Sequence, residues 1–186
     1  QIEEMKKEYQ QLEEKKKEVS ADAVSKQEKP VADYIRRFLK QLNIESVEDN
    51  SGRIVDGTTG NIIAKITSSS SEKCRFAFTA HMDTVKSTRG IKPQINHEKI
   101  FTDKTTILGA DNRAGIAHIL FMIEFLKQQN KPHLPFEAIF TIGEETGLYG
   151  STHLDTDLVD SRTAYILDSS ACPGSYVYMA PGALDF

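Results

Sequence analysis

Apolar residues at the start of the chain recur at alternating three- and four-residue steps, the spacing of an amphipathic helix. Within residues 1–20 these positions are Ile2, Met5, Tyr9, Leu12 and Val19, set among Glu, Lys and Gln. The heptad pattern is short, which favours a helix packed on its own domain over a coiled-coil partner helix. Residues 1–20 are therefore predicted to form a charged amphipathic helix, either a native extension or an artificial addition.

Two further stretches have helical periodicity. After Pro30, which suits a first helical turn, apolar residues follow the i, i+3, i+4, i+7 rule and predict a core-facing helix. Those residues are Val31, Tyr34, Ile35, Phe38, Leu39 and Leu42. The stretch from Arg113 to about Gln128 is apolar on most faces and predicts a buried helix.

Four segments have the composition of β-strands. NIIAKIT (61–67) and CRFAFTA (74–80) are rich in β-forming residues and flank a serine-rich connection, so we expect them to pair with each other. FEAIFTI (136–142) and TAYILD (163–168) are continuous apolar runs, typical of strands covered on both faces. The alternation of strands and helices predicts an α/β three-layer sandwich with a largely parallel or mixed central sheet.

Composition narrows the functional classes. The 27 acids and 23 bases give a net charge of −4 without a basic face, so no nucleic-acid partner is expected. Cys74 and Cys172 lie far apart, which argues against a thiolate zinc site and suits a reducing cytoplasm. The longest apolar stretch, 116–126, contains His118 and Glu124 and is too short to span a bilayer, so no membrane association is expected.

Acidic and histidine side chains cluster where predicted strands end or a helix begins. They are His81 and Asp83 after RFAFTA, Asp111 before the third helix, Glu144 and Glu145 after FEAIFTI, and Asp168 after AYIL. In open α/β sheets, residues beyond the carboxyl ends of the strands converge on one site. We therefore expect all six to meet at one edge of the sheet.

Each of these groups also has an ordinary interpretation when taken alone. An acid before a helix is commonly an N-cap, an acid after a strand commonly caps a turn, and adjacent acids commonly lie in a solvated loop. Four such coincidences at one sheet edge are improbable together. A carboxylate-rich, nitrogen-poor cluster suits a pair of divalent ions better than one structural zinc.

The segments that carry these residues resemble a known family. TAHMDTV, TTILGADNRAGIA, TIGEETGLYGS and AYILDSS occur in the order found in the di-zinc aminoacylase and carboxypeptidase family of metallopeptidases, most closely its peptidase T-like (tripeptidase) branch. The similarity runs from about Lys26 to Phe186. Four ordered motifs make the resemblance specific.

The resemblance implies a role for each residue and a cis peptide bond between Asp111 and Asn112. His81 and Asp168 would bind one Zn²⁺, Glu145 the other, and Asp111 would bridge both. Glu144 would be the general base, and Asp83 would orient His81. Co²⁺ and Mn²⁺ suit the same ligands.

Two departures from the family pattern bear on the site. The branch usually has Asp-Asp-Lys where this chain has Asp111-Asn112-Arg113, although the bridging acid is retained. The family also inserts a lid domain near the position of Phe186 and supplies a last histidine ligand after it. Residues 21–186 are therefore expected to be the N-terminal portion of the catalytic domain, with the lid domain and the C-terminal portion absent.

The remaining histidines are not expected to replace that ligand. His97 has no ligand-like context, His118 is predicted to be a packed histidine in the buried helix, and His133 and His153 are predicted in loops or at a helix start.

The expected function is hydrolysis of small peptides, most simply removal of the N-terminal residue of a di- or tripeptide. It would use a water activated by the metal ions, with Glu144 as the base. A related deacylase or carboxypeptidase activity is an alternative within the same chemistry. A different alternative is a catalytically silent metal-binding or interaction module, able to form a homo-oligomer through an unfilled sheet edge.

Overall fold

The structure, a computed structural model, describes residues 21–68, 74, 76–96, 99–169, 175 and 177. The predicted helix in residues 1–20, together with His97 and Cys172, lies outside the described residues. The helices are α1 (Lys29–Gln41), α2 (Ser51–Ile54), α3 (Ala110–Gln128) and α4 (Tyr149–Thr152), with a 3-10 turn at Thr156–Leu158. The strands are β1 (Ser46–Glu48), β2 (Ile62–Ile66), β3 (Phe76–His81), β4 (Pro93–Asn96), β5 (Lys99–Thr102), β6 (Phe136–Thr141) and β7 (Thr163–Ile166).

Helix α1 confirms the prediction made from its apolar spacing. It begins with Pro30 in its first turn and buries one face, on which Val31, Ile35 and Leu39 are almost fully covered. Proline fits there because the first backbone N–H groups of a helix have no partner within the helix. This face packs into the main hydrophobic core.

Helix α3 has the predicted extent but is less buried than predicted. Its backbone is not helical at Asp111 and Asn112, so the regular helix starts at Arg113. One face enters the core, whereas Phe121 is 65% exposed and His118 is exposed as well. The predictions of a helix buried on most faces and of a packed His118 are therefore wrong for the described part of the chain. The core accepts only one stripe of the helix, and His118 lies outside that stripe.

Strand β6 lies at the centre of a five-stranded mixed sheet with the order β1-β2-β6-β3-β7. It pairs antiparallel with β2 and parallel with β3, and β3 pairs parallel with β7. The prediction that β2 and β3 pair with each other is wrong, because β6 is inserted between them. Five of the six β6 residues are buried, as suits a strand with neighbours on both sides and cover on both faces.

Strand β7 occurs where predicted but is exposed along its whole length. It forms one edge of the described sheet, so its apolar run is not covered on both faces as predicted. Strands β4 and β5, which the sequence patterns did not indicate, form a separate antiparallel hairpin with exposed residues.

The sheet has hydrophobic contacts on both faces. The main core joins α1 and α3 to one face, and a smaller cluster packs Leu154, Leu158 and Val159 on the other. The predicted α/β architecture with a mixed central sheet is therefore confirmed. Within the described residues, no helix combines the length and apolar content that crossing a membrane requires.

Candidate metal centre

The parallel pairing of β3, β6 and β7 sets the position of the site. Because parallel strands end at the same edge of a sheet, the residues that follow them are brought together. His81 is the last residue of β3, Glu144 and Glu145 follow β6, and Asp168 follows β7. Asp111 arrives from the start of α3.

His81 is the buried centre of this cluster. Its Nε2 lies 2.9 Å from Asp111 Oδ1 and 3.8 Å from both Glu144 Oε2 and Asp168 Oδ2. Its Nδ1 lies 3.0 Å from the carbonyl oxygen of Asp83 and 3.2 Å from Asp83 Oδ1. The hydrogen bond at Nδ1 fixes the ring so that Nε2 faces the acids, the arrangement of a metal-binding histidine.

The donor set fits a divalent ion. One ligand atom each from His81, Asp111 and Glu145 lie within 4.8 Å of one another. Asp111 reaches this point with a side chain that is 73% exposed, so its carboxylate is free of the core. One imidazole nitrogen and several carboxylates match the ligands of catalytic zinc sites, which retain open positions for water and substrate.

Asp83 is fully buried and holds the neighbouring acid pair as well as His81. It accepts hydrogen bonds from Ser25 Oγ at 2.5 Å, from Glu144 N at 3.0 Å and from Glu145 N at 3.1 Å. The sequence predicted contact with His81 but gave no sign of the bonds to the Glu144–Glu145 backbone. Asp83 thus connects the end of β3 to the turn after β6.

The peptide bond between Asp111 and Asn112 is cis, as the resemblance implied. Asn112, rather than Asp111, caps the regular part of α3, because its Oδ1 accepts a hydrogen bond from Gly115 N at 3.1 Å. The interpretation of Asp111 as an N-cap is therefore not supported, and its carboxylate faces His81.

The site is strongly coupled electrostatically. Burial alone would lower the pKa of His81, but hydrogen bonds to Asp83 and Asp111 and the nearby carboxylate charges outweigh it and raise the pKa to about 9. Burial and mutual repulsion raise the pKa values of Glu144, Glu145 and Asp168. A bound cation would relieve this repulsion.

Asp83 differs from the other carboxylates. Burial favours its neutral form, yet hydrogen bonds from His81, Ser25 and the two glutamate backbones lower its pKa. Asp83 therefore remains a charged acceptor that supports the cluster.

Sequence reasoning missed the contribution of the segment before α1 and of Arg113. Arg113 donates from Nη2 to the carbonyl oxygen of Ala21 and to Thr88 Oγ1, so it joins the start of α3 to the loop after β3. The only sign of this role in the sequence was that Arg113 stands where the peptidase T-like branch usually has lysine.

The other described histidines contact backbone carbonyls. His118, His133 and His153 each place Nδ1 within hydrogen-bond distance of a main-chain oxygen. His133 lies in the loop before β6, as predicted, whereas His153 lies at the C-terminal end of α4 and not at a helix start.

Two curated proteins are similar to this chain in sequence. An uncharacterized protein, YqjE, from Bacillus subtilis is 35% identical over 163 residues, which are 88% of this chain and 44% of that protein. Peptidase T from Escherichia coli O1:K1 is 46% identical over 69 residues, or 37% of this chain and 17% of that protein. The chain thus spans less than half the length of the curated relatives that it matches.

Solved structures agree with the fold. Aminopeptidase PepT from Bacillus cereus superposes with a TM-score of 0.79 at 36% identity, and a tripeptidase from Staphylococcus aureus with 0.77 at 31%. Each match covers 83% of this chain and 42% of the other. These relatives confirm the resemblance to the peptidase T-like branch. The sequence profile of peptidase family M28 matches residues 61–179, a span that includes every residue of the candidate centre, and the chain belongs to that family.

Proposed function

We propose that the protein is a metallopeptidase that removes N-terminal residues from small peptides with the help of two divalent ions, most simply Zn²⁺. The observation that carries the proposal is the convergence of ligand atoms from His81, Asp111 and Glu145 within 4.8 Å of one another. Family membership supports the peptidase class.

The geometry supports an unequal division of roles among the acids. Asp168 lies 3.8 Å from His81 Nε2, which suits a ligand shared with His81 on one ion. Asp111 has a carboxylate oxygen near both His81 and Glu145 and suits a bridging position, whereas Glu145 suits the second ion. We assign Asp83 to orienting His81 and fixing the acid pair.

The metal ions, when bound, would lower the pKa of a coordinated water and polarise the substrate carbonyl. Glu144 suits the general base, because its carboxylate is partly exposed and lies 3.8 Å from His81 Nε2. It would accept the proton of the attacking water and return it to the leaving amine. The burial that raises the pKa of Glu144 also makes it a stronger proton acceptor.

The proposed substrate class rests on the relatives. Proteins described as Peptidase T, aminopeptidase PepT and tripeptidase are similar to this chain in sequence or structure. Their names support short peptides with a free N-terminus as the substrates to test first.

The proposal is tested by metal titration and by peptide hydrolysis with the Glu144→Gln variant. Elemental analysis should find two zinc ions per molecule, and hydrolysis should depend on zinc. Glu144→Gln should retain zinc but lose about 100-fold or more of its turnover, because general base catalysis is removed. Glu124→Gln, on the solvent-accessible part of α3, is the matched control and should behave as wild type.

Peptides with free and blocked N-termini separate aminopeptidase from deacylase or carboxypeptidase action. An aminopeptidase loses activity when the amine is blocked. Failure of the wild type to bind zinc, or equal and measurable turnover by Glu144→Gln and wild type, would contradict the proposal. Zinc binding with no turnover by either protein would favour the catalytically silent metal-binding module.

A further inference from the structure

The turn after β6 is held by three consecutive backbone hydrogen bonds to buried carboxylates. Gly143 N donates to Glu28 Oε1 at 3.0 Å, and the next two amides donate to the two carboxylate oxygens of Asp83. This turn carries Glu144 and Glu145. Glu28 therefore holds the first amide of the turn, and Asp83 holds the next two.

Glu28 has no evident structural reason to be a carboxylate. It occupies the N-cap position of α1, yet its side chain makes no capping hydrogen bond there. The residue is completely buried, and Oε2 has no hydrogen-bond partner among the described residues. Burying an incompletely bonded carboxylate is costly, so stabilising α1 does not explain it. Its carboxylate accepts hydrogen bonds from local backbone amides, including that of Lys26, and from the sequence-distant Gly143 N.

Gly143 is a point at which the turn needs support. Its φ of +56° lies in the left-handed region, which glycine adopts readily but which leaves the backbone many alternatives. A fixed acceptor for its N–H selects one of these conformations. The direction in which the next two side chains leave the backbone depends on that selection.

We propose that Glu28 is a positioning residue for the Glu144–Glu145 pair, acting through the Gly143 amide. The proposal rests on the function assigned to that pair above. Asp83 contacts both His81 and the turn, whereas Glu28 is hydrogen-bonded to the turn and to its own segment. Loss of the Glu28 acceptor should therefore disturb the ion bound by Glu145 and the base Glu144, and leave the His81–Asp168 side of the site in place.

Two substitutions isolate the hydrogen bond from charge and size. Glu28→Gln and Glu28→Met both remove the charge and keep a similar length, but only glutamine retains an acceptor for Gly143 N. Amide hydrogen exchange at residues 143–145 and zinc affinity by calorimetry are the two measurements. Glu28→Met should speed exchange in the turn and weaken the binding of one of two zinc ions about tenfold or more, in the range found for groups that support ligands. Glu28→Gln should lie close to wild type in both.

Glu137 provides a matched control. It is also completely buried, and it accepts backbone hydrogen bonds from Asp160 and Ser161 in a distant loop. Glu137→Met should lower the melting temperature but leave zinc affinity and exchange at 143–145 unchanged. A purely structural role for Glu28 would make the two methionine variants behave alike.

The inference would be overturned if a folded Glu28→Met variant had the same amide exchange rates at residues 143–145 and the same zinc affinity as the wild type. If Glu28→Met does not fold, Glu28→Asp, whose side chain is one methylene shorter, takes its place in the experiment. Wild-type protection of the turn amides in Glu28→Asp would also overturn the inference. If wild type binds no zinc, the proposed function fails, and faster exchange in Glu28→Met still supports the positioning role. The two failures are therefore distinguishable.

Discussion

At the scale of single residues, one buried carboxylate serves several parts of the site. Asp83 lies against the His81 imidazole and also accepts two backbone N–H groups and the Ser25 hydroxyl. The H-x-D spacing predicted the first of these contacts. The others join residues about 60 positions apart, and no local pattern encodes such a contact.

Asp83→Asn should weaken zinc binding without unfolding the protein. An amide can accept at only one of its two positions, so it loses a backbone bond to the acid pair and the charge that supports His81. We expect zinc affinity to fall by about 10- to 100-fold. Calorimetric titration measures this, with Asp103→Asn in the exposed segment after β5 as the control. Unchanged affinity in Asp83→Asn would contradict the role assigned to this residue.

At the scale of elements, the sequence predicted the secondary structure of each segment more accurately than its neighbours and its burial in the fold. Helix α1 was predictable because its apolar spacing matches the stripe that it buries. The strand that pairs with β2 could not be predicted in the same way. Strand pairing joins distant segments, and the apolar runs of β3 and β6 are similar. Helix α3 was predicted too buried, since periodicity does not reveal how much surface the rest of the chain covers.

The start of α3 requires a glycine at position 115. A Cβ there would lie 2.3 Å from Asn112 Oδ1 and 2.5 Å from the carbonyl oxygen of Leu167. Alanine normally stabilises a helix interior by about 1 kcal/mol relative to glycine. Here Gly115→Ala should instead destabilise the fold by about 1–3 kcal/mol, because the clash is with the cap and with backbone.

Urea denaturation of Gly115→Ala and of Ala117→Gly, an exposed position two residues later on the same helix, tests this expectation. Ala117→Gly should cost about 1 kcal/mol from helix propensity alone. A stabilised Gly115→Ala variant would show that α3 can move away from the strand-β7 end.

At the scale of the whole molecule, the arrangement of the strands in the sheet brings residues that are distant in sequence to one candidate site. The four motifs predicted that six residues would meet, and the structure brings them together because the neighbouring parallel strands β6, β3 and β7 end at the same edge of the sheet. Their roles as ligands and base stay predictions. The supporting residues Ser25, Glu28 and Arg113 were not predicted, since they act through backbone groups of other segments.

Between about pH 6.5 and pH 9, the stability of the metal-free protein should fall as the pH rises. The pKa of His81 is raised from 6.5 to about 9, so the protonated ring stabilises the fold below pH 6.5 and this contribution is lost as the pH passes about 9. The raised pKa values of Glu144, Glu145 and Asp168 act in the same direction, because ionising these groups is harder in the folded state.

Zinc should reverse this trend, because it binds the neutral imidazole and the ionised carboxylates. The rise in melting temperature between EDTA and zinc samples should therefore grow from pH 6 to about pH 9. His118→Ala should retain that growth, and His81→Ala should reduce it, because only the three carboxylates then compete for protons. A zinc-dependent stabilisation that stayed constant with pH would contradict the proton competition.

The strand order also determines when the candidate metal centre can form while the chain is being synthesised. Ala77 pairs with Glu137 about 60 positions later, and Phe76 with Thr163 later still, so the sheet edge closes only when the far end of this chain is available. A ribosome makes these segments in sequence, and long-range pairing is slow relative to helix formation. Until Asp168 has left the ribosome, the six residues of the cluster cannot all meet at the sheet edge. If the proposed metal site exists, zinc binding with full affinity therefore requires that β7 has joined the sheet.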